Sequence, residues 1–290
     1  MRMVIFGAGF SGKAIAAEAR AQGATVSGTT RSAEKCAALE AAGIKPFLFD
    51  GSAFSPELAQ EMAVATHLVQ SIAPGREGDP LVRLAGGDLR ARMPKLQWIG
   101  YLSTIGVYGD RQGGWVDESA STAPVPERSR ERVVAEEAWM DIGRANGLPV
   151  AVLRLSGIYG PGRHAFVNLE KGTARRLIKP GQVFNRIRVE DIGAAALFLA
   201  NRGTSGLFNI TDDEPAPPQD VIAEAARLMG VAPPPEQAFE TAELTPMARS
   251  FYGENKRVSN RRIKAEGFAF RFPDYRVSLA DLWQAGKWRG

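Results

Sequence analysis

The chain begins Met1-Arg2-Met3-Val4-Ile5-Phe6-Gly7-Ala8-Gly9-Phe10-Ser11-Gly12, in which an apolar run of strand length leads directly into three glycines. The alanine-rich residues 13–20 have the composition of a helix. Strand, G-x-G-x-x-G and helix in this order are the dinucleotide-binding fingerprint. The glycines allow a tight turn, a close approach of the pyrophosphate and close helix–strand packing. We therefore predict that a dinucleotide binds at Gly7, Gly9, Phe10, Ser11 and Gly12, with its phosphates at the helix N-terminus.

Two other interpretations of this loop remain open. The spacing from Gly7 to Gly12 and Lys13 nearly matches the P-loop of nucleotide triphosphatases. A P-loop requires Ser or Thr at the next position to hold magnesium, and this chain has Ala14 there. The second alternative is a glycine-rich turn with no ligand, because G-x-G-x-x-G alone is a weak signal.

Composition narrows the class of protein. At 290 residues, with 44% apolar and 23% charged residues, the chain has the size and balance of a globular protein of one large domain or two closely joined ones. One cysteine and two histidines do not make a zinc site or an internal disulfide, so we expect no bound metal. No apolar run reaches the roughly 18 residues of a membrane span. We expect a cytoplasmic protein without a signal peptide.

The end of the second predicted strand indicates which dinucleotide binds. An NAD site usually has an acidic residue here, about 20 residues beyond the fingerprint, for the ribose 2′-hydroxyl. This chain has Thr29-Thr30-Arg31-Ser32 instead. A guanidinium can form a forked pair with phosphate oxygens, so Arg31 favours the 2′-phosphate of NADP over NAD. The alternative is that Arg31 is an exposed residue before the next helix.

Strands and helices alternate through the first part of the chain. The pattern predicts strands up to 97–103 and a helix over 79–93, and it indicates an α/β fold with a doubly wound parallel sheet, the Rossmann fold. Ligands of such sheets bind beyond the carboxyl ends of the strands. Asp50, Ser71 and Thr104 lie at such ends. We predict that Asp50 and Ser71 contact the cofactor, Asp50 at the adenine; the alternative for Asp50 is that it only caps a turn.

Five further motifs connect the chain to a known family. They are LSTIGVYG at 102–109, VDES at 116–119, RLSGIYGPG at 154–162, RVEDI at 188–192 and FNITDDEP at 208–215. In this order they resemble the extended short-chain dehydrogenases/reductases, the group of NAD-dependent epimerases and dehydratases. The resemblance implies a Rossmann domain over 1–162 plus 187–213 and a smaller C-terminal substrate domain over 163–186 plus 214–290. It also places Thr104 at the family's catalytic Ser/Thr, which hydrogen-bonds the reacting oxygen.

The family's Tyr-x-x-x-Lys pair has no counterpart here. Counting back from Glu136 places Arg132 at the Lys position and Arg128 at the Tyr position, and residues 127–137 contain neither Tyr nor Lys. Arg remains protonated under almost all conditions, so Arg128 cannot relay a proton. Arg132 could still contact the cofactor ribose as a fixed cation. The chain therefore resembles the atypical members of the family, which keep the cofactor site and have lost catalytic residues.

A different group must then handle the proton if the chain is an enzyme. Tyr108, Tyr159 and His164 are the candidates, because each follows a strand's carboxyl end, and an unperturbed histidine titrates in the required range.

A basic stretch is a separate feature of the sequence. Residues 163–188 carry seven Lys or Arg and one acidic residue. Such a stretch suits an acidic or phosphorylated ligand or is a solvated basic face, and within it Arg176 and Arg186 are candidates for substrate phosphates.

Two functions follow from these residues. The first is an NADP-dependent oxidoreductase of epimerase/dehydratase type that acts on a small phosphorylated or nucleotide-sugar-like substrate. The second is a non-catalytic NADP-binding sensor or interaction protein, for which the missing Tyr–Lys pair is the argument. Neither involves nucleic acid or a membrane, since one basic stretch is too little basic surface for the former. The sequence leaves the choice between monomer and homodimer open.

Overall fold

The computed structural model describes residues 1–290 apart from the side chain of Met247. Its strands are β1 (Arg2–Phe6), β2 (Thr25–Thr30), β3 (Lys45–Leu48), β4 (His67–Gln70), β5 (Trp98–Thr104), β6 (Trp115–Val116), β7 (Val150–Leu155), β8 (Gly157–Tyr159), β9 (Arg176–Ile178), β10 (Arg186–Arg188), β11 (Gly206–Ile210), β12 (Glu236–Ala238) and β13 (Arg257–Val258).

Twelve α-helices accompany these strands. They are α1 (Phe10–Ala21), α2 (Cys36–Glu40), α3 (Pro56–Val64), α4 (Pro80–Ala85), α5 (Leu89–Arg92), α6 (Glu127–Asn146), α7 (Ala165–Glu170), α8 (Val189–Asn201), α9 (Pro218–Met229), α10 (Pro246–Phe251), α11 (Arg261–Ala265) and α12 (Tyr275–Gln284). Short 3₁₀ turns cover Ala33–Lys35, Ile105–Tyr108 and Phe239–Thr241.

A seven-stranded sheet in the order β11-β7-β5-β4-β1-β2-β3 confirms the predicted doubly wound α/β fold. The chain runs from β1 outward to β2 and β3 and then returns to β4 on the other side of β1. β1 pairs in parallel with both neighbours, with Ile5 opposite Gly28 of β2 and Val69 of β4. The order therefore reverses beside β1, and sheets of this type bind ligands at that point.

The described chain divides into two compact units. The first comprises residues 1–107, 124–155 and 192–208, and the second comprises 108–123, 156–191 and 209–290. Segments 108–123 and 156–162 therefore group with the second unit, whereas the family resemblance put them in the Rossmann domain. The assignment of a cofactor domain and a substrate domain stays a prediction. None of the described helices combines the length and the apolar character that crossing a bilayer requires.

The first unit is built around the buried sheet. β1 is apolar and buried from Met3 to Phe6, as expected for a strand covered on both faces. Phe6 packs edge-on against Phe49, with ring centroids 5.1 Å apart, and Trp139 of α6 is fully buried in the same core. In the second unit, Phe166 of α7 and Leu279 of α12 belong to a separate buried cluster.

The predicted helix over 79–93 is wrong in its extent. Gly86 and Gly87 adopt left-handed backbone angles, with φ of +63° and +84°, and Gly86 ends α4 after six residues. A second short helix, α5, begins after Asp88, whose side chain accepts a bond from the Ala91 N–H. Two consecutive glycines end a helix because they take up left-handed angles without steric cost.

Asp79 joins three elements of the first unit through its carboxylate. It caps α4 by accepting bonds from the N–H groups of Leu81 and Val82 at 2.8 and 3.2 Å. It also accepts from the side-chain amide of Gln70, at the end of β4, and from the indole N–H of Trp139 on α6. All these groups except Val82 N–H are buried, so one carboxylate satisfies buried donors that would otherwise be unpaired.

Replacing Asp79 by Ala should therefore destabilise the protein strongly. A lost N-cap costs about 1 kcal/mol, and each buried donor left unpaired costs about 1–3 kcal/mol more. We expect the free energy of unfolding to fall by about 3–5 kcal/mol in urea titration. Asp88→Ala is the matched control, because that exposed cap should cost only about 1 kcal/mol. Equal losses for the two variants would contradict the network's role.

Candidate functional site

The glycine loop has the geometry that its sequence predicts. Gly7 has a φ of +83°, and a Cβ there would lie 3.0 Å from a side-chain carbon of Ile72. A Cβ on Gly12 would lie 3.1 Å from Ile5 of β1, so α1 can pack this closely only without a side chain. Gly9 differs from both, since a Cβ there would contact only Gly7 O, at 4.0 Å. The fold itself thus needs Gly7 and Gly12, and the space above Gly9 is open to a ligand.

The N-terminus of α1 faces this open space without a capping side chain. Gly9 is the N-cap residue and provides no side-chain cap, and the first turn holds no acidic residue. Backbone N–H groups in the first turn of a helix lack intrahelical partners and carry the positive end of the helix dipole. This end of α1 can therefore bind an anion such as a pyrophosphate.

Thr29 of β2 fixes the loop beneath the helix. Its hydroxyl accepts a bond from Gly7 N–H at 2.9 Å, and its backbone carbonyl accepts one from Ala8 N–H at 2.9 Å. Thr29 is buried, so both bonds are shielded from water. The same strand end that carries Arg31 thus holds the phosphate loop in place.

A cleft of about 1220 Å³ in the first unit surrounds this loop. Of the predicted cofactor residues, Gly7, Gly9, Phe10, Arg31 and Asp50 line it. Ser11 and Gly12 are buried behind its wall, and Ser71 and Arg132 are not among the lining residues, although Ile72 next to Ser71 is. The structure therefore brings most, but not all, of the predicted cofactor residues together at one place.

The end of the cleft beside β2 is basic. Arg31 is exposed there, Lys35 lines the same wall, and Lys13 of α1 projects into the cleft. Among the described residues, no acid forms an ion pair with any of these three side chains. The sequence pattern predicts a cofactor contact for Arg31 alone. Lys35, a second basic residue four positions further along the chain, lines the same cleft.

Asp50 also lines the cleft and forms part of a local turn. One carboxylate oxygen accepts bonds from the N–H and the hydroxyl of Ser52, at 2.8 and 2.6 Å. These two bonds lower the pKa of Asp50, so the group is ionised at neutral pH. This local turn is the alternative to a cofactor contact for Asp50, and the contact stays a prediction.

Thr104 is the last residue of β5, and its hydroxyl accepts a bond from Gly106 N–H at 3.1 Å. The hydroxyl proton is then available for donation to another oxygen.

Arg132 of α6 bonds β5. One of its guanidinium nitrogens donates to Leu102 O at 2.6 Å and to the Tyr101 hydroxyl at 3.3 Å. Arg132 thus holds the end of β5, and the predicted ribose contact has no support in these contacts.

α6 is attached to the sheet by a buried ion pair. Glu136 accepts from Arg154 of β7 through both carboxylate oxygens, the shortest contact being 2.7 Å, and both side chains are at most 5% exposed. Ser103 of β5 donates to the same carboxylate at 2.5 Å. These contacts fix the position of α6 against β5 and β7.

Two predicted proton-transfer residues are engaged within the second unit. The Tyr108 hydroxyl is fully buried and donates to the Asn209 side chain at 2.7 Å. In His164, Nε2 lies 2.6 Å from Trp288 O and therefore carries the proton, while Nδ1 accepts from Phe166 N–H at 3.2 Å. Burial lowers the pKa of His164, which keeps the ring neutral. Both ring nitrogens are occupied, so we assign His164 and Tyr108 a structural role in place of the predicted catalytic one.

The basic stretch 163–188 is largely occupied by internal contacts. Arg176 pairs with Glu236 at 2.7 Å and so joins β9 to β12. Arg188 pairs with Glu190 and Asp281 and stacks on the ring of Phe272 at 4.2 Å. Arg186 donates to two backbone carbonyls but also lines a separate cavity in the second unit. The ion pair with Glu236 therefore argues against Arg176 as a ligand for substrate phosphates.

The chain is similar to known proteins over nearly its full length. No family model matches it. Protein YeeZ of Escherichia coli (strain K12) is 28% identical and covers 94% of this chain and 97% of its own length. The solved structure of a functionally unknown conserved protein from Silicibacter pomeroyi is 45% identical, with a TM-score of 0.89 and 99% of both chains covered.

Two further solved structures carry descriptive names. A putative NAD-dependent epimerase/dehydratase from Methylobacillus flagellatus is 25% identical, with a TM-score of 0.69 over 98% of both chains. The human epimerase family protein SDR39U1, solved with NADPH, is 16% identical, with a TM-score of 0.74 over 98% of this chain and 99% of that one. The human structure therefore supports the fold alone.

The loop geometry predicts that Gly9→Val separates binding from folding. The added side chain has room in the free protein, so the free energy of unfolding should change by at most about 1 kcal/mol. It would occupy the space above the helix N-terminus, and we expect NADPH to bind at least about 10-fold more weakly in a fluorescence titration. Undiminished NADPH affinity in Gly9→Val would show that the phosphates bind elsewhere.

Proposed function

We propose that the chain is an NADP-binding oxidoreductase that acts on a small substrate and is an atypical member of the extended short-chain dehydrogenases/reductases, the group of NAD-dependent epimerases and dehydratases. The 25% identity to the solved structure described as a putative NAD-dependent epimerase/dehydratase supports this family. One observation carries the proposal: an uncapped helix N-terminus at Gly9 and the unpaired cation of Arg31 line the same cleft. The two features suit the two anionic groups of NADP, its pyrophosphate and its 2′-phosphate.

The proposed cofactor contacts follow from the residues of the first unit. The N–H groups at the start of α1 would hold the pyrophosphate, and Arg31 with Lys35 would hold the 2′-phosphate. The free carboxylate oxygen of Asp50 would accept a hydrogen bond from the adenosine half. The cleft of about 1220 Å³ has room for a dinucleotide. Only the 2′-phosphate distinguishes NADP from NAD, so the proposed preference for NADP rests on Arg31 and Lys35.

The proposed chemistry divides between cofactor and protein. A nicotinamide supplies hydride transfer when it is bound. The protein must orient the reacting oxygen and manage a proton. Thr104 suits the first task, because its hydroxyl accepts from Gly106 N–H and keeps a proton to donate to a carbonyl or hydroxyl oxygen. A threonine hydroxyl is a poor general base, so the proton would pass through the substrate or water.

The alternative function is an NADP-binding sensor without turnover. Its support is that α6 contains neither Tyr nor Lys and that Arg132 donates to Leu102 O. The buried Tyr108 and the fully bonded His164 do not supply a replacement base. Substrate class stays a prediction: the phosphorylated or nucleotide-sugar-like substrate was inferred from a basic stretch whose charges largely serve internal contacts.

Arg31→Asp tests the cofactor preference. The substitution removes a charge-assisted contact worth about 1.5–3 kcal/mol, so NADPH should bind about 10- to 100-fold more weakly. NADH lacks the 2′-phosphate and should lose little affinity. Arg202→Asp is the control, because it makes the same charge change on an exposed residue that does not line the cleft. Equal losses for NADPH and NADH in Arg31→Asp would refute the 2′-phosphate contact.

Thr104→Val and Thr104→Ser form a matched pair for turnover. Both keep the approximate size of the side chain, but only Ser keeps the hydroxyl. With a panel of carbonyl and nucleotide-sugar substrates and NADPH, we expect Val to lower kcat about 100-fold or more and Ser to retain most of it. Both variants should bind NADPH as the wild type does. Wild-type protein that binds NADPH and turns over no substrate would favour the sensor.

A further inference from the structure

A second, smaller cavity lies wholly within the second unit. Its volume is about 260 Å³, and α7, α9 and α12 contribute to its walls. One part of the lining is apolar, with Val221, Ile222 and Leu279. Another part is polar and includes Tyr159 and Arg186. An apolar pocket with a few converging polar groups is the usual form of a small-molecule site.

Arg186 is held in the wall of this cavity by only part of its guanidinium group. Nη1 donates to Phe184 O at 2.9 Å and to Ala216 O at 3.0 Å. Among the described residues, no acceptor bonds Nε or Nη2, and no carboxylate forms an ion pair with the group. A guanidinium carries five N–H donors, so most of them remain for a ligand. Burial lowers the pKa of Arg186, and the charge of Asp212 opposes this shift.

Asp212 is the acid whose charge acts most strongly on Arg186, yet it does not form an ion pair with it. It is 1% exposed, one oxygen accepts a 3.3 Å bond from Glu214 N–H, and the other has no partner among the described residues. Burial raises the pKa of Asp212 well above its usual value, which favours its neutral form. Asp212 thus does not occupy the guanidinium group of Arg186, whose remaining N–H donors can bind an anion in the cavity.

The neighbouring polar groups narrow the chemistry further. The Tyr159 hydroxyl is sealed from solvent, so only the rest of this side chain lines the cavity. Burial raises the pKa of Tyr159 well above its usual value, so the hydroxyl stays protonated. His164 also lines the cavity, but both of its nitrogens are already bonded. The polar end of the cavity therefore has two cations, Arg175 and Arg186, next to an apolar wall.

We propose that this cavity binds a small carboxylic acid with a short apolar chain, with Arg186 paired to the carboxylate and the chain packed on Val221, Ile222 and Leu279. The forked guanidinium matches the geometry of a carboxylate. The cavity of about 260 Å³ is slightly smaller than an ordinary small-molecule pocket of about 300–1,000 Å³, which suits an acid of about four to six carbons. The site is separate from the dinucleotide cleft and does not rest on the NADP proposal.

Calorimetric titration of the full chain with short acids tests the site. The probes are butanoate, 3-methylbutanoate and hexanoate, with dodecanoate as an overlong acid, 3-methylbutanamide as a neutral analogue and inorganic phosphate at matched ionic strength. We expect the four- to six-carbon acids to bind and the other three probes to bind at least about 10-fold more weakly. Phosphate that binds as well as the acids, or no binding by any acid, would overturn the proposal.

Two variants locate the binding. Arg186→Gln removes the cation and should weaken 3-methylbutanoate at least about 10-fold. Ile222→Phe fills the cavity without replacing a polar group, so it should also weaken 3-methylbutanoate. This variant tests the site if Arg186→Gln fails to fold. Arg176→Gln is the control, since that arginine lies in the same basic stretch but does not line the cavity. Full affinity for 3-methylbutanoate in Ile222→Phe, or an equal loss in Arg176→Gln, would contradict binding in this cavity.

Discussion

The close contact between α1 and β1 is the constraint on which the first unit depends. No side chain fits at Gly12, where a Cβ would lie 3.1 Å from Ile5 and 3.2 Å from Gly7 O. The helix therefore starts close to the strand, and its N-terminus lies at the point where the strand order reverses. Thr29 of the next strand bonds Gly7, so the strand end that carries Arg31 also fixes the glycine loop.

The sequence was informative where contacts are local. The glycine spacing and the position of Arg31 each depend on a few consecutive residues, and the structure has the predicted loop geometry and places Arg31 in the cleft. Roles set by distant partners could not be predicted in this way. Tyr108 is bonded by Asn209, 101 residues away, and His164 by Trp288, 124 residues away. Nothing in the local pattern around either residue indicates that its polar atoms are already engaged.

Buried contacts hold α6 against the sheet. Glu136 is fixed by Arg154 and Ser103, so the helix is held to β5 and β7. Such a pair is better evidence for positioning than for stability, since burying both charges is costly. Arg132 one turn earlier bonds the backbone of β5. The position of α6 therefore depends on these charged side chains and requires neither Tyr nor Lys in the helix.

Binding of NADP in the cleft of the first unit is the central claim, and calorimetric titration of the wild-type chain with NADP⁺ and NAD⁺ at one ionic strength tests it most directly. We expect one saturable site for NADP⁺, with an affinity at least about 10-fold higher than that for NAD⁺ because of the contact with the 2′-phosphate. Equal affinity for the two dinucleotides would remove the role of Arg31, and no binding of either would contradict the cofactor site itself.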